Sequence, residues 1–134
     1  MAQFSRKTDY ALILLEALKP TFASGGFLTL RAVTERESLP RAFLEKIASK
    51  LKKEKVVAAR KGADGGYRLI RDPNSLTLKE VIDIFEEPPM MRCMRSPDPQ
   101  KHCALAVHCP TRSKWREIEK RVNFIFERVT IDSL

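Results

Sequence analysis

The chain has 134 residues, a net charge of +8 at neutral pH, 43% hydrophobic and 31% charged residues. That length holds one domain, or a small domain with an extension, and the composition excludes a disordered chain. No apolar run approaches the roughly 20 residues that cross a bilayer, and no apolar stretch with a small-residue cleavage site follows the N-terminus, so the expected location is the cytoplasm.

Residues 9–18, DYALILLEAL, set Tyr10, Ala11, Ile13, Leu14, Ala17 and Leu18 at helical spacing, and Lys19-Pro20 predicts the stop. ASGG at 23–26 reads as a loop. LTLRAVTERE at 28–37 reads as a short helix with Thr29 as a candidate N-cap. Ser38-Leu39-Pro40 interrupts it, and Pro40 suits the first turn of another helix. In that helix Phe43, Leu44, Ile47 and Leu51 share one face, and Lys and Arg crowd the other. Helix, tight turn, helix is the shape of a DNA-binding helix-turn-helix, and by pattern alone equally that of a helical hairpin in a core.

The next segment favours the first reading. KVVAARKGADGGYRLIRD at 55–72 alternates apolar residues on both sides of a glycine-rich tip, the pattern of a β-hairpin. Lys55, Arg60, Lys61, Arg68 and Arg71 decorate it. A helix-turn-helix followed by a basic hairpin is the order of a winged helix, whose wing touches phosphates or a minor groove while the helix reads base edges. Gly65-Gly66 would let the tip approach DNA closely; a non-binding glycine turn is the alternative. Residues 30–75 carry 12 Lys/Arg against 6 Asp/Glu, so +6 of the total +8 lies there, whereas residues 76–92 come to −2. This concentration points to a polyanionic partner; the alternative is a solvated surface.

SLTLKEVIDIFEE at 75–87 reads as a helix, with Thr77 and Glu80 spaced as a capping box. Residues 88–103 hold four prolines and little periodicity, a loop that something must hold. Residues 111–129 form a long helical pattern in which Trp115, Ile118, Val122, Ile125 and Phe126 repeat at three- and four-residue steps. Too little chain remains to cover that stripe, which suggests pairing with a second copy; a helix buried in its own core is the rival. The expected fold is mainly α with a small β-hairpin wing: a winged helix-turn-helix over 1–75, then a cysteine loop and a long C-terminal dimerisation helix over 76–134.

All the cysteines, Cys93, Cys103 and Cys109, lie in or beside that loop. Their number is odd and the expected compartment reducing, so they read as metal ligands or redox groups rather than disulfides. The spacing C-x9-C-x5-C lacks the tight pair usual for zinc and suits a larger group such as an iron–sulfur cluster. Zinc and unligated redox thiols stay open. Arg92, Arg95 and Lys101 would favour thiolates. No nucleophile–base pair, paired carboxylates or phosphate-binding loop is present, and GADGG lacks the Lys-Ser/Thr of a nucleotide site, so no enzyme is expected.

TDYAL at 8–12, FLEKIASKLKKEKVV at 43–57, KGADGGYRL at 61–69, LTLKEVID at 76–83, the three cysteines, WREI at 115–118 and ERVTIDSL at 127–134 together carry a resemblance. The chain resembles the bacterial winged-helix regulators that include IscR, NsrR and RirA, dimeric repressors or activators that carry an iron–sulfur cluster. The resemblance implies double-stranded DNA with a near-palindromic operator as partner, a homodimer built on the helix from about 111, and no membrane. It implies that Ala42, Phe43, Glu45 and Lys46 face DNA, with Arg41 at the helix start, and that Lys61, Gly62, Gly65 and Gly66, beside Arg60, form the wing; Tyr67 suits the core beneath it. It implies that Cys93, Cys103 and Cys109 hold the cluster, with a first gap longer than the family's. One branch takes a histidine three residues after the last cysteine as fourth ligand; here Arg112 stands there. The nitric-oxide-sensing branch uses an aspartate near the partner's N-terminus, a position Asp9 matches, which favours 4Fe–4S over 2Fe–2S. For Asp9 the alternative is a charge placed to suit a helix N-terminus, and His102 and His108 are further candidates. The signal would be nitric oxide, oxygen, or iron and cluster status.

Overall fold

The computed structural model describes residues 4–87, 90–94 and 97–134. Among these, the helices are α1 (Arg6–Ser24), α2 (Leu30–Glu37), α3 (Arg41–Lys53), α4 (Leu78–Phe85) and α5 (Arg112–Arg128), and the strands β1 (Val57–Arg60) and β2 (Gly66–Leu69) form an antiparallel pair. Short 3₁₀ turns at Arg92–Met94 and Pro99–Lys101 lie between α4 and α5.

α1 runs through the centre. Its Ala11, Leu14, Leu15 and Leu18 are fully buried against Leu44 and Leu51 of α3, Leu69 of β2 and Val81 of α4. Each such leucine contributes about 1.5–3 kcal/mol relative to an exposed one. The expected stop at Lys19-Pro20 is overturned: α1 continues through Pro20 to Ser24. Tertiary bonds carry it past the missing proline N–H. The Thr21 hydroxyl donates to Leu18 O and accepts the Leu69 N–H at 3.0 Å, tying the last turn of α1 to β2. Gly25, at φ 73°, then ends the helix with its N–H on Thr21 O.

Thr29 caps α2 as its position suggested, its hydroxyl accepting from the Ala32 N–H. Ser38 adopts a left-handed φ of 54° at the end of α2, and Pro40 is the N-cap of α3 rather than a residue of its first turn. The hairpin register pairs Val57 with Leu69 and Arg60 with Gly66, and Leu28 joins its edge through reciprocal bonds with Tyr67 at 2.9 and 2.8 Å. The capping box is formed: Thr77 and Glu80 exchange bonds at 2.9 and 3.2 Å.

α5 has no buried residue; Trp115, Ile118, Phe124 and Ile125 are 38–59% exposed. The tail beyond it returns to the start of α4. The Leu78 N–H donates to Val129 O at 2.7 Å, the Ile131 N–H to Leu76 O at 2.9 Å, and Ile131 is fully buried. α5 is therefore anchored at its C-terminal end, where Phe126 meets the Phe4 ring with centroids 5.7 Å apart, while Trp115, Ile118, Phe124 and Ile125 stay exposed within one chain. No helix is long and apolar enough to cross a membrane among the described residues.

Candidate nucleic-acid interface and cysteine loop

α3 offers its exposed surface through Arg41, Ala42, Glu45 and Lys46. Arg41 Nε donates to Glu45 Oε1 at 3.3 Å, an exposed pair of the kind that stabilises by less than about 1 kcal/mol and can be exchanged for a ligand contact. Phe43 does not share that surface. It is half-buried, and its ring meets that of Tyr10 edge to face with centroids 5.2 Å apart. It seats α3 on α1, as an anchor between the two helices. Lys50, Lys52 and Lys53 crowd the last turn of α3, where positive charge also suits the helix C-terminus.

The wing is a built loop. Arg60 Nη2 donates to Asp64 O at 2.7 Å, and its guanidinium lies 4.2 Å from the centroid of the Phe27 ring. Arg60 thus shapes the tip, and Phe27, a lone aromatic after Gly25-Gly26, is a contributor that the sequence pattern did not single out. Lys61 is exposed. The glycines divide into two kinds. Gly62, at φ 107°, has open space where a Cβ would stand. Gly65 is buried in the turn itself: a Cβ there would lie 2.2 Å from Arg60 O. At Gly66, φ 138°, it would lie 2.4 Å from Leu28 O. Packing of the hairpin on itself and on Leu28 therefore explains Gly65 and Gly66 without any approach to DNA. Tyr67 packs half-buried against the core.

The start of the cysteine loop is rooted twice. Glu86, the C-cap of α4, accepts from the Ser5 N–H at 2.7 Å, from the Ser5 hydroxyl at 2.8 Å and from the Thr8 hydroxyl, all on Oε1. The Met90 N–H donates to Glu119 Oε1 of α5 at 2.7 Å. Cys93 lies in the first 3₁₀ turn, Cys103 donates its N–H to Pro99 O at 3.1 Å, and Cys109 precedes α5; all three are half-buried and free. Cys109 Sγ is 3.5 Å from Thr111 Oγ1. Hydrogen bonds from the Thr111 hydroxyl and N–H, then the Arg112 N–H and charge, hold the Cys109 thiol below its ordinary pKa. Thr111 and Arg112 supply this effect; of the basic residues expected to do so, Lys101 pairs with Asp98 at 3.5 Å, and Arg95 and the Arg92 side chain lie outside the described residues. Nothing in the sequence pattern marked Thr111 or Glu86 as partners of the site.

Three thiols are a suitable donor set for a cluster in kind. Their positions do not fit one in this conformation: among the described residues, no three His, Cys, Asp or Glu side chains converge to hold a metal ion. Asp9 is exposed in the first turn of α1, where its charge suits the helix N-terminus. Arg112 donates from Nη1 to Ala106 O at 3.4 Å, and its buried Nε has no partner among the described residues. His102 and His108 are exposed.

Residues 4–134 match a family model described as iron-dependent transcriptional regulators. An HTH-type transcriptional regulator IscR of Vibrio campbellii is 30% identical over 106 residues, 78% of this chain and 61% of the relative, so the chain spans about three-fifths of that protein's length. An HTH-type regulator of Aquifex aeolicus is 29% identical over 98% of this chain and 90% of its own. The fold matches CymR, the global cysteine regulator of B. subtilis, with a TM-score of 0.77 at 24% identity, covering 99% of this chain and 95% of that one. It matches T. potens IscR with a TM-score of 0.74 at 23% identity, covering 98% and 85%. The winged helix-turn-helix is thus the fold of known transcription regulators, and the chain belongs to the Rrf2 family.

Proposed function

We propose that the chain acts as a cytoplasmic homodimer that binds double-stranded DNA at a near-palindromic operator, with its affinity set by an iron–sulfur cluster held in the cysteine loop. The observation that carries this reading is the loop's construction: three free thiols on one segment, fastened at Glu86 to α1 and at Met90 to α5, beside a basic winged helix. Arg41, Ala42, Glu45 and Lys46 would face the major groove, with Arg60, Lys61 and Gly62 at the wing. Glu45 can accept from cytosine N4, and Lys46 can reach guanine or a phosphate. The uncovered stripe of α5 would meet its copy in the dimer, placing two α3 helices on two half-sites. Cys93, Cys103 and Cys109 would hold the cluster, 4Fe–4S rather than 2Fe–2S, with the partner subunit supplying a carboxylate equivalent to Asp9. The cluster would supply reactivity toward nitric oxide or oxygen at its iron.

A second reading is a cluster-free regulator that uses the cysteines as a thiol redox switch, which the separation of the thiols favours, or as a zinc site. A visible spectrum of anaerobically purified protein, with iron and acid-labile sulfide counted per chain, separates the two. A broad band near about 400 nm that is lost in Cys103→Ala supports the cluster. A protein that stays colourless after reconstitution supports the second reading.

A further inference from the structure

Phe27 follows Gly25 and Gly26 and carries a ring whose partner is not the hydrophobic core. Its neighbour Leu28 packs against the core, whereas Phe27, half-buried, lies outside that cluster. Backbone bonds fix its place: Leu28 and Tyr67 of β2 exchange hydrogen bonds at 2.9 and 2.8 Å. On the other side of β2, Ala59 pairs with Tyr67 and Arg60 with Gly66. Gly66 sets no side chain between Phe27 and Arg60, and the Arg60 guanidinium lies over the Phe27 ring, 4.2 Å from its centroid.

The arginines of the hairpin differ in what they are free to do. Arg68 donates from Nε to Thr21 O at 3.3 Å, and Arg71 pairs with Glu80 at 2.9 Å. The partners of Arg60 are a ring face and the neutral carbonyl of Asp64, 2.7 Å from Nη2, and neither compensates its charge. A guanidinium presents its N–H donors in one plane. With its face on Phe27 and one donor on Asp64 O, the exposed side chain keeps the rest of that edge for an anion. A stacked, hydrogen-bonded arginine also loses less freedom on binding than one that swings in solvent. Held in this way it lies along the wing, and reaching into a groove would break both contacts. We infer that Arg60 contacts a DNA phosphate through its free edge at the wing surface, and that Phe27 is the positioning residue that holds it there. The inference rests on the reading that the chain binds duplex DNA through its wing.

Affinity is measured by fluorescence anisotropy across a salt series, on a duplex selected from a random pool by the wild-type chain and on an unrelated duplex. Arg60→Ala is expected to weaken binding about tenfold on both and to lower the salt slope by about one phosphate contact. Phe27→Ala is expected to weaken both about threefold. The double variant should be no weaker than Arg60→Ala alone, because the ring acts only through the guanidinium. Phe27→Tyr, which keeps the ring face, should bind as wild type. Phe27→Leu, which keeps apolar bulk alone, should bind as Phe27→Ala. A double variant weakened by the product of the two single losses, or a Phe27→Leu that binds as wild type, overturns the positioning role. An unchanged slope in Arg60→Ala, or a loss confined to the selected duplex, overturns the phosphate contact. These outcomes leave DNA binding by the chain standing. A wild type that selects no duplex overturns that reading and the inference with it. Should Phe27→Ala not fold, the double variant is made with Phe27→Leu and the same outcomes decide.

Discussion

The ring of Tyr10 on α1 meets the ring of Phe43 on α3 edge to face, 5.2 Å between centroids and 88° between planes. An aromatic on the helix proposed to read DNA thereby points inward, and α3 is held by the helix at the centre of the core. Such pairs stabilise by about 0.5–1.5 kcal/mol beyond their area burial. Phe43→Ala is expected to lower unfolding free energy by about 2–3 kcal/mol, less than for a fully buried phenylalanine. The neighbouring exposed Ala42→Ser should change it by under about 0.5 kcal/mol. Urea denaturation of the two variants checks this; equal midpoints would mean that Phe43 does not anchor α3.

The wing glycines separate fold from contact. Gly66→Ala places a methyl 2.4 Å from Leu28 O at a φ of 138°, and it should unfold or severely destabilise the hairpin. Gly62→Ala meets no atom within 4 Å and keeps only the backbone strain of φ 107°, about 1–2 kcal/mol. Circular dichroism melts should therefore rank Gly66→Ala far below Gly62→Ala; the reverse order would contradict the packing at Leu28.

Much of this architecture was legible because the local signals agree. Thr29 and the Thr77–Glu80 pair cap the helices they precede, since a hydroxyl at that position finds its N–H within three residues. The hairpin follows from apolar alternation around glycines. The errors arise where distant residues override local preference. Pro20 signals a stop, but Thr21 bonds to Leu69, 48 residues away, and carries α1 on. Phe43 was placed toward DNA by resemblance alone, whereas its helical spacing already set it beside Leu44, Ile47 and Leu51, and its ring meets Tyr10 there. Glu86 was invisible as a capping group because the N-terminus it caps is 81 residues earlier. The cysteines were legible as a group, but spacing alone does not tell where a proline-rich loop carries them.

The carboxylate of Glu86 also links stability to pH. Burial opposes its ionisation, but hydrogen bonds from Thr8 and Ser5 and the charge of Lys7 prevail and hold its pKa below the usual glutamate value. Glu80 is depressed in the same sense: burial again opposes ionisation, and bonds from the Thr77 N–H and Arg71 overcome it. A depressed folded pKa means stability that is full above the unfolded value, about 4.3, and is lost as pH falls through the lower folded value. The Tm advantage of wild type over Glu86→Gln should therefore be largest near neutral pH and shrink below about pH 4. A constant difference from pH 7 to pH 3 would show that the ionised form is not the one preferred by the fold.

The exposed stripe of α5 gives a direct test of assembly. Ile125 is 59% exposed and Phe124 55%, an apolar surface that a single chain does not cover. Ile125→Asp would leave the monomer fold intact, since no residue of α5 is buried, but would set a charge into the proposed dimer interface. Sedimentation equilibrium should give twice the 15.3 kDa chain mass for the wild type and the chain mass for Ile125→Asp. Identical masses for the two would remove α5 from the interface.

The measurement closest to the central claim is DNA affinity as a function of the loop's occupancy. Protein purified without oxygen is titrated against a duplex that it has itself selected, before and after a chelator strips its iron, at fixed salt. The expected result is a change of about tenfold or more between the two forms, absent in Cys103→Ala. Equal affinity of the iron-loaded and stripped forms would contradict control of DNA binding by the cysteine loop.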